Sequence, residues 1–159
     1  MNIPRPEHPN PQWERKNWRN LNGEWEFDFD FGTSAREKEL YKNGTLSKKI
    51  IVPFCPESIL SGIGYTDFIP SVCYKKLITL SNKELTGLVF LHFGAVDFHS
   101  YIYVNGKLAD EHIGGYASFK VDITSFEGWL YLLFNPTLIT AILGSIKLIN
   151  SLLDEVLLP

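Results

Sequence analysis

Four histidines, two cysteines and a run of alternating acids are the residues in this 159-residue chain best suited to chemistry. His8, His92, His99 and His112 show no metal-ligand spacing, so no metal site is expected. Cys55 and Cys73 form no CxxC pair and read as two free, buried thiols of a reduced compartment. Glu26, Asp28 and Asp30 could serve acid/base chemistry or hold calcium. They interleave with Trp25, Phe27, Phe29 and Phe31, however, and that two-residue period marks a half-buried strand with its acids on the water side. Sugar recognition needs an aromatic face and a few polar groups around a cleft. Trp13, Trp18, Tyr65 and Tyr116 are available for it, although aromatics in such a chain are expected in the core.

Any such residues must be positioned by a single folded body. The length allows one domain, and 45% hydrophobic with 14% aromatic residues is enough to build its core. A net charge of -3 provides no basic field, which excludes nucleic acid as a partner. The N-terminus is polar and rich in proline, with no apolar segment of a signal peptide, so a cytoplasmic setting is expected.

Residues 1–20 carry Pro4, Pro6, Pro9 and Pro11 and read as an extended arm that packs through Trp13 and Trp18. A strand follows over 25–31, and residues 33–46 are polar enough for a short helix or a long loop. Strands are predicted at 48–53, 72–80, 87–96, 98–104, 107–111 and 118–123, with an ordered, Pro/Gly-punctuated loop over 54–67. Asn105-Gly106 between two of these strands is a strong hairpin signal, because a type I′ turn requires positive φ at both central residues. Many short strands with almost no helical period argue an all-β sandwich.

Several segments in this order resemble the N-terminal domain of glycoside hydrolase family 2, the family of β-galactosidases and β-glucuronidases. They are 5–12 with 18–25; Val52-Pro53-Phe54-Cys55-Pro56-Glu57-Ser58 with 61–64; Leu91-His92-Phe93-Gly94-Ala95-Val96-Asp97; Tyr103-Val104-Asn105-Gly106-Lys107; and His112-Ile113-Gly114-Gly115-Tyr116. The similarity covers about residues 3–127. Similar sequences carry tryptophan where Cys73 stands, a departure expected to change packing.

The resemblance implies a jelly-roll, galactose-binding-like β-sandwich, incomplete at its C-terminal end, that packs on downstream domains and contacts carbohydrate in the parent enzyme. In that family a retaining mechanism uses two glutamates about 5–5.5 Å apart, both carried by a TIM barrel of roughly 250 residues. No such barrel fits here, so no catalytic residue and no cofactor is expected in this chain. The rival readings are a free-standing carbohydrate-binding module and an inert pseudogene product.

Four residues are candidates for substrate binding. The resemblance implies that Asn105 reaches towards a sugar subsite, while its place before Gly106 also satisfies the turn. Asp97 could bond turn backbone or meet a neighbouring domain. His112 could line a sugar pocket and Tyr116 could offer a ring, although Gly114 and Gly115 beside them meet a backbone need for positive φ.

The pattern breaks after Gly128. This divides the chain into an arm (1–20), a β-sandwich body (21–128) and an aberrant hydrophobic tail (129–159). Trp129 to Ile146 contains no charged residue. A shifted reading frame near codon 128, a membrane span of the roughly 20 residues a bilayer needs and a divergent tail that supplies strands all fit. The membrane span is disfavoured by Asn135-Pro136. Lost late strands would expose sheet edges and make the chain marginally stable.

Overall fold

The computed structural model describes residues 3–7, 18–82, 84–126, 129–134 and 147–151. Ten strands and one helical turn follow one another: β1 (Trp18–Asn20), β2 (Gly23–Phe29), α1 (Leu40–Asn43), β3 (Lys48–Val52), β4 (Val72–Thr79), β5 (Leu88–Phe93), β6 (His99–Val104), β7 (Lys107–Ile113), β8 (Phe119–Asp122), β9 (Trp129–Phe134) and β10 (Lys147–Ser151). Every pairing is antiparallel. One sheet has the order β1-β10-β5-β8 and the other β3-β2-β4-β9-β6-β7.

The alternation in β2 does what its period dictates. Trp25 and Phe27 are buried, and they join Ile50 and Tyr74 of the same sheet with Leu91 and Val121 of the other in one hydrophobic core. A second, smaller cluster lies around Cys73 and Tyr103 and is covered by Ala35, Leu40, Tyr41 and Leu46. The polar segment 33–46 thus forms one helical turn plus loop, and its few apolar residues make it a cover. Cys73 is fully buried there, and both cysteines are free thiols.

Two expectations for the strand's end are corrected. The strand stops at Phe29, so Phe31 is 55% exposed and lies outside the core. Asp30 does not face water; it is only 8% exposed. Its carboxylate accepts from the backbone N–H groups of Ser34 (2.9 Å) and Ala35 (3.0 Å) and so fixes the turn that leads into the cover segment.

The 129–159 segment contributes an interior strand to each sheet, against the expectation of lost late strands. β9 lies between β4 and β6, and β10 lies between β1 and β5. Trp129–Phe134 is a strand, and among the described residues no helix is long and apolar enough to cross a membrane. Trp13 lies outside the described residues.

Candidate functional site

The β6–β7 hairpin carries or adjoins all four candidate residues. At its tip Asn105 has φ 51° and Gly106 φ 75°, the two positive values that a type I′ turn demands. This tip faces the helical turn: a side chain added at residue 106 would meet the backbone of Tyr41 and Lys42 at 3.5 Å.

The far end of the hairpin gathers Asp97, His112 and Tyr116. His99 pairs with Ile113, and the Gly114 N–H donates to the Phe98 carbonyl at 2.7 Å beyond it. Asp97, joined to Phe98 by a cis peptide, then lies against Gly115. The approach leaves no room for a Cβ at residue 115. Gly114 has φ 140°, whereas Gly115 answers a need for space and not for positive φ. Among the described residues, no bond from the Asp97 carboxylate to turn backbone is seen. The His112 ring stacks on Phe119 at 3.8 Å, and Phe119 stacks in turn on Phe93 at 4.6 Å. The His112 Nε2 is buried without a hydrogen-bond partner among the described residues.

Tyr116 does not belong to the core, being 93% exposed, with Phe98 and Ile113 also exposed nearby in the chain. Trp18 and Tyr65 are half-buried, and Tyr65 packs against the main core. Six residues of β6 at about 3.4 Å each put Asn105 roughly 20 Å from the other three candidates. The structure therefore brings three of them together and separates the fourth.

Among the described residues Asp97 and His112 make no hydrogen bond to each other, and the Glu111 carboxylate on the same hairpin lies 2.6 Å from His99 Nε2. Among the described residues, no cluster of three potential metal ligands occurs. What remains is an exposed aromatic ring, two exposed apolar neighbours and a buried imidazole nitrogen. Replacing Gly115 by alanine is expected to force the Asp97 carboxylate aside and to cost about 1–3 kcal/mol, the usual penalty of overpacking. Thermal unfolding should show part of that loss restored in the Gly115→Ala, Asp97→Ala double variant.

A second polar group lies under the 53–70 loop. Burial, followed by a hydrogen bond to Glu57, pushes the Cys55 thiol up, so it stays protonated and unreactive at neutral pH. Burial, with Glu57 and Cys55 nearby, pushes the Tyr74 phenol far above its ordinary range. The Tyr74 hydroxyl is buried and has no hydrogen-bond partner among the described residues. Removing such a group removes its desolvation penalty. Tyr74→Phe is therefore expected to raise stability by about 1–2 kcal/mol, read as a higher midpoint in urea.

Sequence reasoning missed a cleft of about 380 Å³ at the β3 edge, lined by Phe29, Lys48, Lys49, Ile63 and Tyr65 among others. It also missed an aromatic ladder on β6. Arg36 lies 3.9 Å from the Tyr101 ring centre and donates to the Tyr103 hydroxyl, while Tyr41 stacks on Tyr103 at 4.4 Å. The alternation of His99, Tyr101 and Tyr103 was the available signal for the ladder. The cleft had none, because its walls are distant in sequence.

These features define a mostly β, two-sheet domain. Its sequence is similar over part of its length to β-glucuronidases and β-galactosidases of glycoside hydrolase family 2. It is 28% identical to the β-glucuronidase of Felis catus over 124 residues, which is 72% of this chain and 19% of that one. It is 33% identical over 57 residues to the β-galactosidase of Thermoanaerobacterium thermosulfurigenes, covering 36% of this chain and 8% of that one. Among solved structures, a β-glucuronidase from an uncultured Clostridium species superposes with a TM-score of 0.72 at 18% identity, over 88% of this chain and 30% of that one. The β-glucuronidase of Lactobacillus rhamnosus gives 0.71 at 17% identity, over 86% and 29%. No protein-family model matches the chain. The chain spans 6% to 19% of the length of the curated relatives it matches, the share of a single domain.

Proposed function

We propose that this chain is the N-terminal, jelly-roll accessory domain of a family 2 glycoside hydrolase acting on β-glucuronides or β-galactosides, and that alone it does not catalyse. The carrying observation is the coverage: most of this chain aligns with about a fifth of a β-glucuronidase. The reaction needs two carboxylates held a few ångströms apart on opposite sides of the scissile bond, and the Asp97–His112–Tyr116 end offers nothing of that kind. In the parent enzyme Asp97, His112 and Tyr116, with Asn105 at the other end of the hairpin, face carbohydrate or the following domains. A shifted frame accounts for the composition of 129–159, while β9 and β10 make part of that segment belong to the folded body.

The purified chain should leave nitrophenyl β-glucuronide and β-galactoside intact. Turnover at any rate above buffer, surviving repurification, would overturn the proposal. Nucleotide sequence beyond codon 128 that encodes a second sandwich and a barrel in another frame would establish the parent. The exposed Tyr116 ring favours a second reading, a free-standing carbohydrate-binding module. Saturable binding of galactose or glucuronide that disappears in Tyr116→Ala would select that reading over the first.

A further inference from the structure

We propose that Asn105 is a site of spontaneous deamidation, and that the fold selects it from three identical dipeptides. Asn-Gly occurs at Asn22-Gly23, Asn43-Gly44 and Asn105-Gly106. In each, the glycine nitrogen can attack the asparagine Cγ, because no Cβ stands in the way. The new N–Cγ bond closes a five-membered succinimide. The side-chain nitrogen leaves as ammonia and takes up the proton that the glycine nitrogen gives up. Water then adds to one imide carbonyl and breaks its bond to that nitrogen. Addition at the side-chain carbonyl gives aspartate, and addition at the main-chain carbonyl gives isoaspartate, which carries an extra methylene in the backbone. Water is the sole co-reactant.

The structure separates the three sites by what each must release. Asn22 is only 5% exposed, and its Nδ2 donates to the carbonyls of Pro4 at 3.2 Å and Arg5 at 3.4 Å. Gly23 is fixed opposite Val52 in the β2–β3 ladder. Both the leaving amide and the attacking nitrogen are therefore held, away from water. At the second site the nitrogen is held: the Gly44 N–H donates to the Leu40 carbonyl at 2.9 Å and so keeps its proton. Asn105 is exposed at a hairpin tip, and among the described residues no hydrogen bond of the Gly106 N–H occurs.

The tip is also where the sheet opens at least cost. β7 is an edge strand, so its start is held by β6 alone, and the register shift between Ile102 and Tyr103 interrupts that ladder just below the turn. Strand ends of this kind open far more readily than a core. Val104 is fully buried and paired with Leu132 of β9 on its other side, so it stays in place while Gly106 and Lys107 lift.

The reaction changes the tip in charge and in length. A carboxylate replaces an amide close to Lys42, whose Nζ already pairs with Glu39 at 2.7 Å. Aspartate tolerates positive φ as asparagine does, so this product keeps the turn. Isoaspartate lengthens a two-residue loop whose ends are set by the Val104↔Lys107 pair, and a type I′ turn no longer fits.

The test is peptide mapping by mass spectrometry of the full chain after incubation in warm, mildly alkaline buffer, once folded and once in guanidinium chloride. Unfolded, the three sites should convert at rates within about threefold of one another. Folded, Asn105 should convert at least about tenfold faster than Asn22 or Asn43. Fresh Asn105→Asp should keep the wild-type thermal midpoint, whereas aged wild-type chain containing isoaspartate should show a second, lower transition. Equal rates at the three sites in the folded chain would overturn selection by the fold. Conversion of Asn105 in denaturant alone would show that the turn protects it and would overturn the site. A single, unchanged transition in chain rich in isoaspartate would overturn the effect on the turn.

Discussion

Replacing Trp25 by alanine should remove most of the stability of this domain. Trp25 is 1% exposed and heads the fully buried side chains by volume. It lies centrally in β2, opposite Ile50 of β3, and belongs to the cluster that both sheets share. Truncating a buried tryptophan costs about 3–5 kcal/mol, because the cavity closes only in part. Trp25 also donates its Nε1–H to the Leu21 carbonyl at 2.9 Å, and Lys76 Nζ sits 5.2 Å from its ring centre. The orphaned carbonyl adds about 1–3 kcal/mol. Set against a total stability of about 5–15 kcal/mol for a domain of ordinary size, the sum removes most of the margin. Trp25→Phe keeps the ring volume in part and should lie between the two. Urea unfolding followed by circular dichroism reads all three chains, and a loss below about 1 kcal/mol for the alanine variant would show that the shared core is not what holds the sheets together.

Local patterns in the sequence carried much of the fold, and the failures have identifiable physical causes. The Trp25-Phe27-Phe29 alternation and the Asn105-Gly106 turn could be read directly, since both depend on backbone period and φ alone. Asp30 and Phe31 could not. They continue the alternation by type, but the strand has ended, and the Asp30 carboxylate turns to the N–H groups of Ser34 and Ala35. The candidate site shows the same limit. Counting outward from the hairpin turn puts Asp97 opposite Gly114, whereas the register shift between Ile102 and Tyr103 moves the count by one and delivers it to Gly115. No residue type announces that bulge. The apolar 129–134 run was ambiguous for a different reason, because periodicity alone does not separate a short buried strand from a helical segment. The cleft depends on the end of β2, the start of β3 and a loop more than ten residues beyond, which only the folded chain assembles.

Ending the chain at Gly128 should be more damaging than any single substitution. Among the described residues β9 is what joins β3-β2-β4 to β6-β7, pairing with β4 from Tyr74↔Phe134 to Thr79↔Trp129 and with β6 from Ile102↔Phe134 to Val104↔Leu132. β10 likewise joins β1 to β5. Removing both would open four new strand edges at once: those of β4, β6, β1 and β5. Each lost backbone hydrogen bond costs roughly 1 kcal/mol net, and more than a dozen register pairs disappear. Tyr74, Ile102 and Val104, all almost fully buried, flank the gap. Unpaired edges beside apolar surface are templates for aggregation. The shortened chain is expected in the insoluble fraction, or as a soluble aggregate without near-UV circular dichroism. A monodisperse 1–128 chain that unfolds cooperatively would overturn this and mark the tail as dispensable. The expected result carries a consequence for the origin of 129–159. A sheet interior selects for apolar, extended sequence far more than for particular side chains, so even residues read from a shifted frame could complete both sheets, provided that they were as free of charge as this stretch is.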